Sequence, residues 1–178
     1  MSLVLRVLKI FSIGILLLES TLAAEINIFW DKSEVAPYDI HAPGSILSLF
    51  NMAVRGQLLS INKNNGLSPS HISKFHYDFE RKVYVLKLAE GLTFHNGRKV
   101  TSQDLEFSIL RGFYSPDSSF FKTYFGDIVG IENIKPGSKY KTGFTEGVRI
   151  VNEDVIEVKL TSPNPAFFHS LTTPYFSL

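Results

Sequence analysis

VYVLKLAEGLTFHNGRKVTSQDLEFSILR, residues 83–111, carries strand, turn and helix signals in an order that few folds use. Tyr84, Leu86 and Leu88 alternate with Val83, Val85 and Lys87, the period of two expected of a strand with one apolar face. Past Glu90 and Gly91 comes His95-Asn96-Gly97, where Asn-Gly supplies the positive φ angles of a tight turn and reverses the chain. Thr101 stands three residues before Asp104, a spacing that predicts a capped helix from about Ser102, with the carboxylate at the positive end of its dipole. Leu105, Ile109 and Phe113 recur every four residues with Leu110 beside them, which gives that helix one buried stripe.

The surrounding sequence extends this pattern. Phe75, Tyr77 and Phe79 alternate with polar neighbours, and Glu80-Arg81-Lys82 turns the chain into the strand at Val83, predicting a hairpin. A second hairpin is expected from 148–151 and 155–160, which flank Asn152-Glu153-Asp154. Upstream, 26–30 reads as a strand, the prolines Pro37 and Pro43 as a loop, 45–54 as a short helix, and 58–61 as a brief strand closed by Asn64-Asn65-Gly66. Downstream, an aromatic-rich loop over 113–125 leads into a Gly/Pro/Lys-rich connection over 130–147, and Pro163-Asn164-Pro165 precedes a helical turn at 166–171. The fold class is α/β, a mixed sheet with hairpins and short helices.

VLKLAEGLTFHNGRKVTSQDLEFSILR (85–111), RGQLLSINKNNGLSPSHISKF (55–75) and GVRIVNEDVIEVKLTSPNPAFFHSL (147–171) together resemble the extracellular solute-binding proteins of family 5. These serve oligopeptide, dipeptide and nickel ABC transporters. The resemblance runs from about Ile26 to the last residue; Ser70-His71-Ile72 departs from the family's usual Ala-Leu-Ala after the proline, which touches packing more than chemistry. It implies a periplasmic binding protein-like fold of type II, cluster C. The family's members resemble two-lobed proteins far longer than 178 residues, so residues 24–178 are expected to form an incomplete N-terminal lobe, whether by natural truncation or as a fragment.

Residues 1–23 read as a secretory signal peptide: Arg6 and Lys9 make a basic start, 10–18 is an apolar run, and Thr21-Leu22-Ala23 suits cleavage. An uncleaved anchor, carrying a sensor or interaction domain, is the alternative. The sequence contains no cysteine, which excludes a diacylglyceryl-cysteine lipoprotein and any disulfide, so the expected location is the free periplasm. Removing 1–23 takes two of the 18 basic and one of the 17 acidic residues and leaves the two counts equal. No basic stripe tracks a phosphate backbone, so nucleic acid is not an expected partner. Aromatic residues make up 13% of the chain, enough apolar area for a true core.

No G-x-S-x-G elbow, H-E-x-x-H, P-loop or G-x-G-x-x-G occurs, so catalysis is not expected. The five histidines show no ligand spacing on a shared helix face; His41 and His95 are weighed as metal ligands against turn or surface roles, and neither a metal site nor a cofactor is expected. Trp30 is read as core or cleft edge. What the family resemblance implies is a peptide ligand and an ABC permease complex in the inner membrane as partners. It also implies that the loop carrying Pro43, Gly44, Ser45 and Ile46 offers backbone groups to an extended peptide, which needs one donor and one acceptor per residue and no side-chain reading. In the segment 116–124 Phe121 is the nearest counterpart of a cleft-facing family aromatic, and Phe121 or Tyr124 lining the cleft is weighed against plain core packing. Nickel, haem or a sugar is the alternative ligand.

Overall fold

The computed structural model describes residues 55–116 and 118–178. The signal segment at 1–23, the strand at 26–30, the helix at 45–54, Trp30, His41 and the loop from Pro43 to Ile46 lie outside the described residues.

A short hairpin pairs β1 (Leu59–Ile61) with β2 (Leu67–Pro69), the second strand being one the sequence pattern did not announce. Its turn uses Asn65 at φ 58°, while the Asn62 side chain accepts the amides of Asn64 and Gly66. The expected hairpin at 75–88 forms as β3 (Ile72–Asp78) and β4 (Val83–Leu88). Asp78 caps its turn by accepting the amides of Glu80 and Arg81 at 3.1 and 2.9 Å, which lets Lys82 take a positive φ of 54°. A bulge near Ser73 is held by its hydroxyl, which donates to the carbonyls of Leu88 and Lys87.

The second hairpin, β5 (Val148–Ile150) and β6 (Val155–Val158), joins the first through β4 and β6, so one antiparallel sheet runs in the order β3-β4-β6-β5. Register puts Tyr84 opposite Val158 and Leu86 opposite Ile156, and Phe75, Tyr77 and Val148 share that face. Helix α1 (Ser102–Tyr114) covers it with Leu105, Ile109, Leu110 and Phe113, all essentially inaccessible. Each such side chain contributes about 1.5–3 kcal/mol relative to remaining in water. The opposite face carries an ionic row in which Glu157 is held between Arg81 and Arg149.

The helix starts where the capping box predicts. Asp104 accepts the Thr101 amide at 2.9 Å and its hydroxyl at 3.1 Å, and Arg98 grips the same carboxylate through two bonds of 3.0 and 2.8 Å. Burial opposes ionisation of Asp104, but Arg98 and the Thr101 donors outweigh it and hold the carboxyl below the usual range. The turn before it works differently from the expected pair of positive φ angles: only Gly97 adopts one, at 82°, while Asn96 accepts the Arg98 amide with its side chain.

The expected loop over 113–125 is corrected by the structure. Phe113 and Tyr114 belong to α1, and α2 (Ser119–Phe125) follows Pro116 and Ser118. Seven residues would not hold a helix alone; Phe121 and Phe125 hold this one by packing into the core, with Phe125 3.9 Å from Phe176 between ring centroids. The helical turn at 166–171 appears as α3 (Phe167–Ser170). Tyr84 fastens the preceding proline turn: its hydroxyl donates to the Asn164 carbonyl at 2.8 Å and accepts the Asn164 amide at 2.7 Å. Tyr84→Phe strands both backbone groups and is expected to lower stability by about 1–3 kcal/mol, read as a lower urea midpoint with unchanged slope.

Candidate functional site

The aromatic residues expected to line a cleft sit on α2, and α2 is positioned by a close approach to α1. Gly112 makes this possible, because a Cβ there would lie 2.3 Å from the Phe121 ring. The ring meets Phe113, Tyr175 and Phe176 edge-on, with centroids 5.8–6.1 Å apart, and is 3% exposed. Phe121 is thus enclosed by the protein's own side chains. Tyr124 lies on the same helix, one turn further along. Phe121 and Tyr124 share α2, whereas the backbone loop from Pro43 to Ile46 lies outside the described residues.

The final residues run beside the start of the described chain. Ser177 bridges antiparallel to Gln57, and the buried Ser108 hydroxyl donates to the Ser177 carbonyl at 2.7 Å. Next to this junction lies a recess of about 150 Å³ lined by Gly56, His71, Phe94, His95 and Leu178 among others. The His71 ring fills the space a Gly56 side chain would need, 2.0 Å from that position. Burial pushes the His71 imidazole below its ordinary value, so it is neutral near pH 7, a form suited to hydrogen bonding and not to charge pairing. His95 is exposed. Among the described residues, no group of three or more His, Cys, Asp or Glu could hold a metal ion.

On the other flank of α1, sequence reasoning missed a buried carboxyl. Glu106 is fully inaccessible; its Oε1 accepts the Gly143 amide at 2.8 Å, and Oε2 has no hydrogen-bond partner. Burial raises the Glu106 carboxyl, offset in part by the Gly143 amide and the neighbouring Tyr140 phenol. Burial likewise raises the phenols of Tyr114 and Tyr140. The signal for Glu106 was available, since it follows Leu105 on the border of the apolar stripe. Its burial depends on a connection more than thirty residues downstream folding back over it.

A four-stranded sheet of two joined hairpins with α1 packed on one face matches part of the periplasmic binding protein-like fold, as solved structures show. A solved Listeria monocytogenes OppA bound to peptide superposes with a TM-score of 0.59 at 21% identity, over 73% of this chain and 26% of that one. A Borrelia burgdorferi periplasmic oligopeptide-binding protein, OppAIV, does so with a TM-score of 0.60 at 21% identity, over 73% and 26%. The Escherichia coli periplasmic oligopeptide-binding protein OppA is 31% identical over 97 residues, 53% of this chain and 18% of that protein. The sequence pattern of the bacterial extracellular solute-binding proteins, family 5 Middle, matches residues 68–178, and the chain belongs to that family. It spans about a fifth to a quarter of the length of these relatives.

Two substitutions test this packing. Gly112→Ala gains helix propensity of about 1 kcal/mol but drives a methyl into the Phe121 ring. The overpacking cost of about 1–3 kcal/mol is expected to win, seen as a lower Tm. Glu106→Gln tests the buried carboxyl. Because folding raises its pKa, ionised Glu106 opposes the native state; its favourable contribution is complete below the unfolded carboxyl value and is lost as pH rises through the raised folded one. Stability of the variant relative to the parent is therefore expected to increase from pH 4 to pH 8 in parallel denaturation series. A difference independent of pH would show that the carboxyl does not titrate in the folded protein.

Proposed function

We propose that this protein is a substrate-binding component of an ABC importer, exported by a cleaved signal peptide, free in the periplasm, and handing oligopeptides or dipeptides to a permease in the inner membrane. The observation that carries the reading is membership of the solute-binding family over residues 68–178, supported by sequence likeness to a protein named as oligopeptide-binding. The absence of cysteine from the sequence fits an exported protein without a lipid anchor of the lipoprotein kind. The protein binds and delivers and makes or breaks no bond.

In this reading the loop with Pro43, Gly44, Ser45 and Ile46 meets the peptide main chain, an arrangement that is indifferent to side-chain identity. The α2 segment with Phe121 and Tyr124 forms the neighbouring wall. With its ring enclosed, Phe121 shapes that wall from within.

Saturation-transfer NMR of the purified chain with short peptides of varied sequence, a nickel–histidine complex and a hexose tests the ligand class. Transfer to peptide protons across several sequences, and not to the other two probes, is expected. Transfer to the nickel complex or the hexose alone would replace the peptide reading. Intact mass of the exported protein separates the two locations: loss of about the first 23 residues is expected, whereas a retained Met1 indicates a membrane-anchored domain.

A further inference from the structure

The Gly/Pro/Lys-rich connection after Asn133 has no part in the ligand-binding reading, yet it is built into the fold at several points. Gly137 donates its amide to the Tyr114 carbonyl at 2.8 Å, and Gly143 donates to Glu106. The Tyr140 ring sits edge-on between Phe107 at 4.9 Å and Tyr114 at 5.6 Å. A segment pinned in this way presents its remaining side chains in a set arrangement.

Those side chains are of one kind. From Asn133 through Thr145 the sequence contains Lys135, Lys139 and Lys141 and no Asp or Glu. All three lysines are exposed, and their ammonium groups have no carboxylate partner among the described residues. They surround a recess of about 310 Å³ with Tyr114 and Phe144 in its lining. Phe144 is 46% exposed and Phe107 39% exposed, two of the few large apolar side chains left in water among the described residues. Glu132 and Glu146 stand outside this segment at either end, and the carboxyl beneath it, Glu106, is held toward its neutral form by burial.

We infer that the 135–144 connection, with Phe107 of α1, is a docking surface for an anionic phospholipid membrane. Charge alone would suit any polyanion. Phe144, which lines the recess with the lysines, and Phe107, whose ring packs on Tyr140 between Lys139 and Lys141, select the membrane, because exposed rings of this kind partition into the zone between headgroups and acyl chains while ammonium groups remain with the phosphates. Such a contact would hold a delivery protein close to a membrane-embedded permease. It takes from the proposed function only that the protein works beside a membrane.

Co-sedimentation of the purified full chain with phosphatidylglycerol/phosphatidylcholine vesicles tests the inference. Binding is expected to mixed vesicles and not to pure phosphatidylcholine, to fade at high salt, and to weaken about 5-fold per lysine removed, so about 100-fold when Lys135, Lys139 and Lys141 are all changed to Gln. Phe144→Ser should weaken it further without altering its salt dependence. Because Phe144 adjoins the Gly143 anchor, Lys139→Glu at an exposed position serves as the second variant, with circular dichroism to confirm an unchanged fold. Binding equal on both vesicle types, or unaffected by the lysine changes, overturns the inference. So does binding of a Glu-rich peptide, lost in the lysine variant, without any vesicle binding, which would assign the surface to an acidic protein partner. Neither result bears on the NMR test of peptide uptake, which reads ligand protons without vesicles.

Discussion

Pairing of β4 with β6 is the constraint on which the described fold depends. These two strands lie at the centre of the sheet, and each belongs to a hairpin that forms locally; their meeting joins segments about seventy residues apart in the sequence. Closing so long a loop costs chain entropy that grows slowly with its length. The cost is met on both faces at once: Leu86 and Ile156 pair under α1, while Glu157 beside Val85 draws in Arg81 and Arg149 from the flanking chain. The hydrophobic face dominates, because complete burial of several branched side chains outweighs ion pairs whose arginines remain in contact with water.

Once the two hairpins are joined, the turn of the second becomes the socket for the helix. The Ser102 amide donates to the Glu153 carbonyl at 2.8 Å and its hydroxyl to the Asn152 carbonyl at 2.6 Å, while Leu88 at the end of β4 donates to Asp154 at 2.8 Å. The capped end of α1 is therefore fixed to the sheet before its apolar stripe is considered. Everything packed on the helix takes its place from this: α2 through Gly112, the lysine-rich connection through Glu106 and Tyr114, and the last residues through Ser108.

Phe121 has a structural task in this arrangement: its ring packs against Tyr175 and Phe176 and ties α2 to the last residues of the sheet-and-helix core. The polar groups on the far side of α1 follow a different logic. Glu106 and Tyr114 are buried because a basic connection, with Tyr140 as its inward-facing ring, folds over them, and that connection carries its charge outward.

The sequence by itself determined the local elements: the period of two at 83–88 and 155–158, the Thr101–Asp104 box, the four-residue apolar stripe of α1 and the turn at Gly97 are all signals written within a few neighbouring residues. The family resemblance was legible for the same reason, since it rests on three stretches, 55–75, 85–111 and 147–171, each read from its own neighbouring residues. Only the tertiary structure decided the union of the hairpins into one sheet, the helical state of 119–125, the enclosure of Phe121 and the burial of Glu106. Each of these depends on atoms far away along the chain: a register between strands about seventy residues apart, the rings of Tyr175 and Phe176 against α2, an amide at Gly143. Short-range periodicity reports which face of an element is apolar, and the partner that covers that face is chosen by packing.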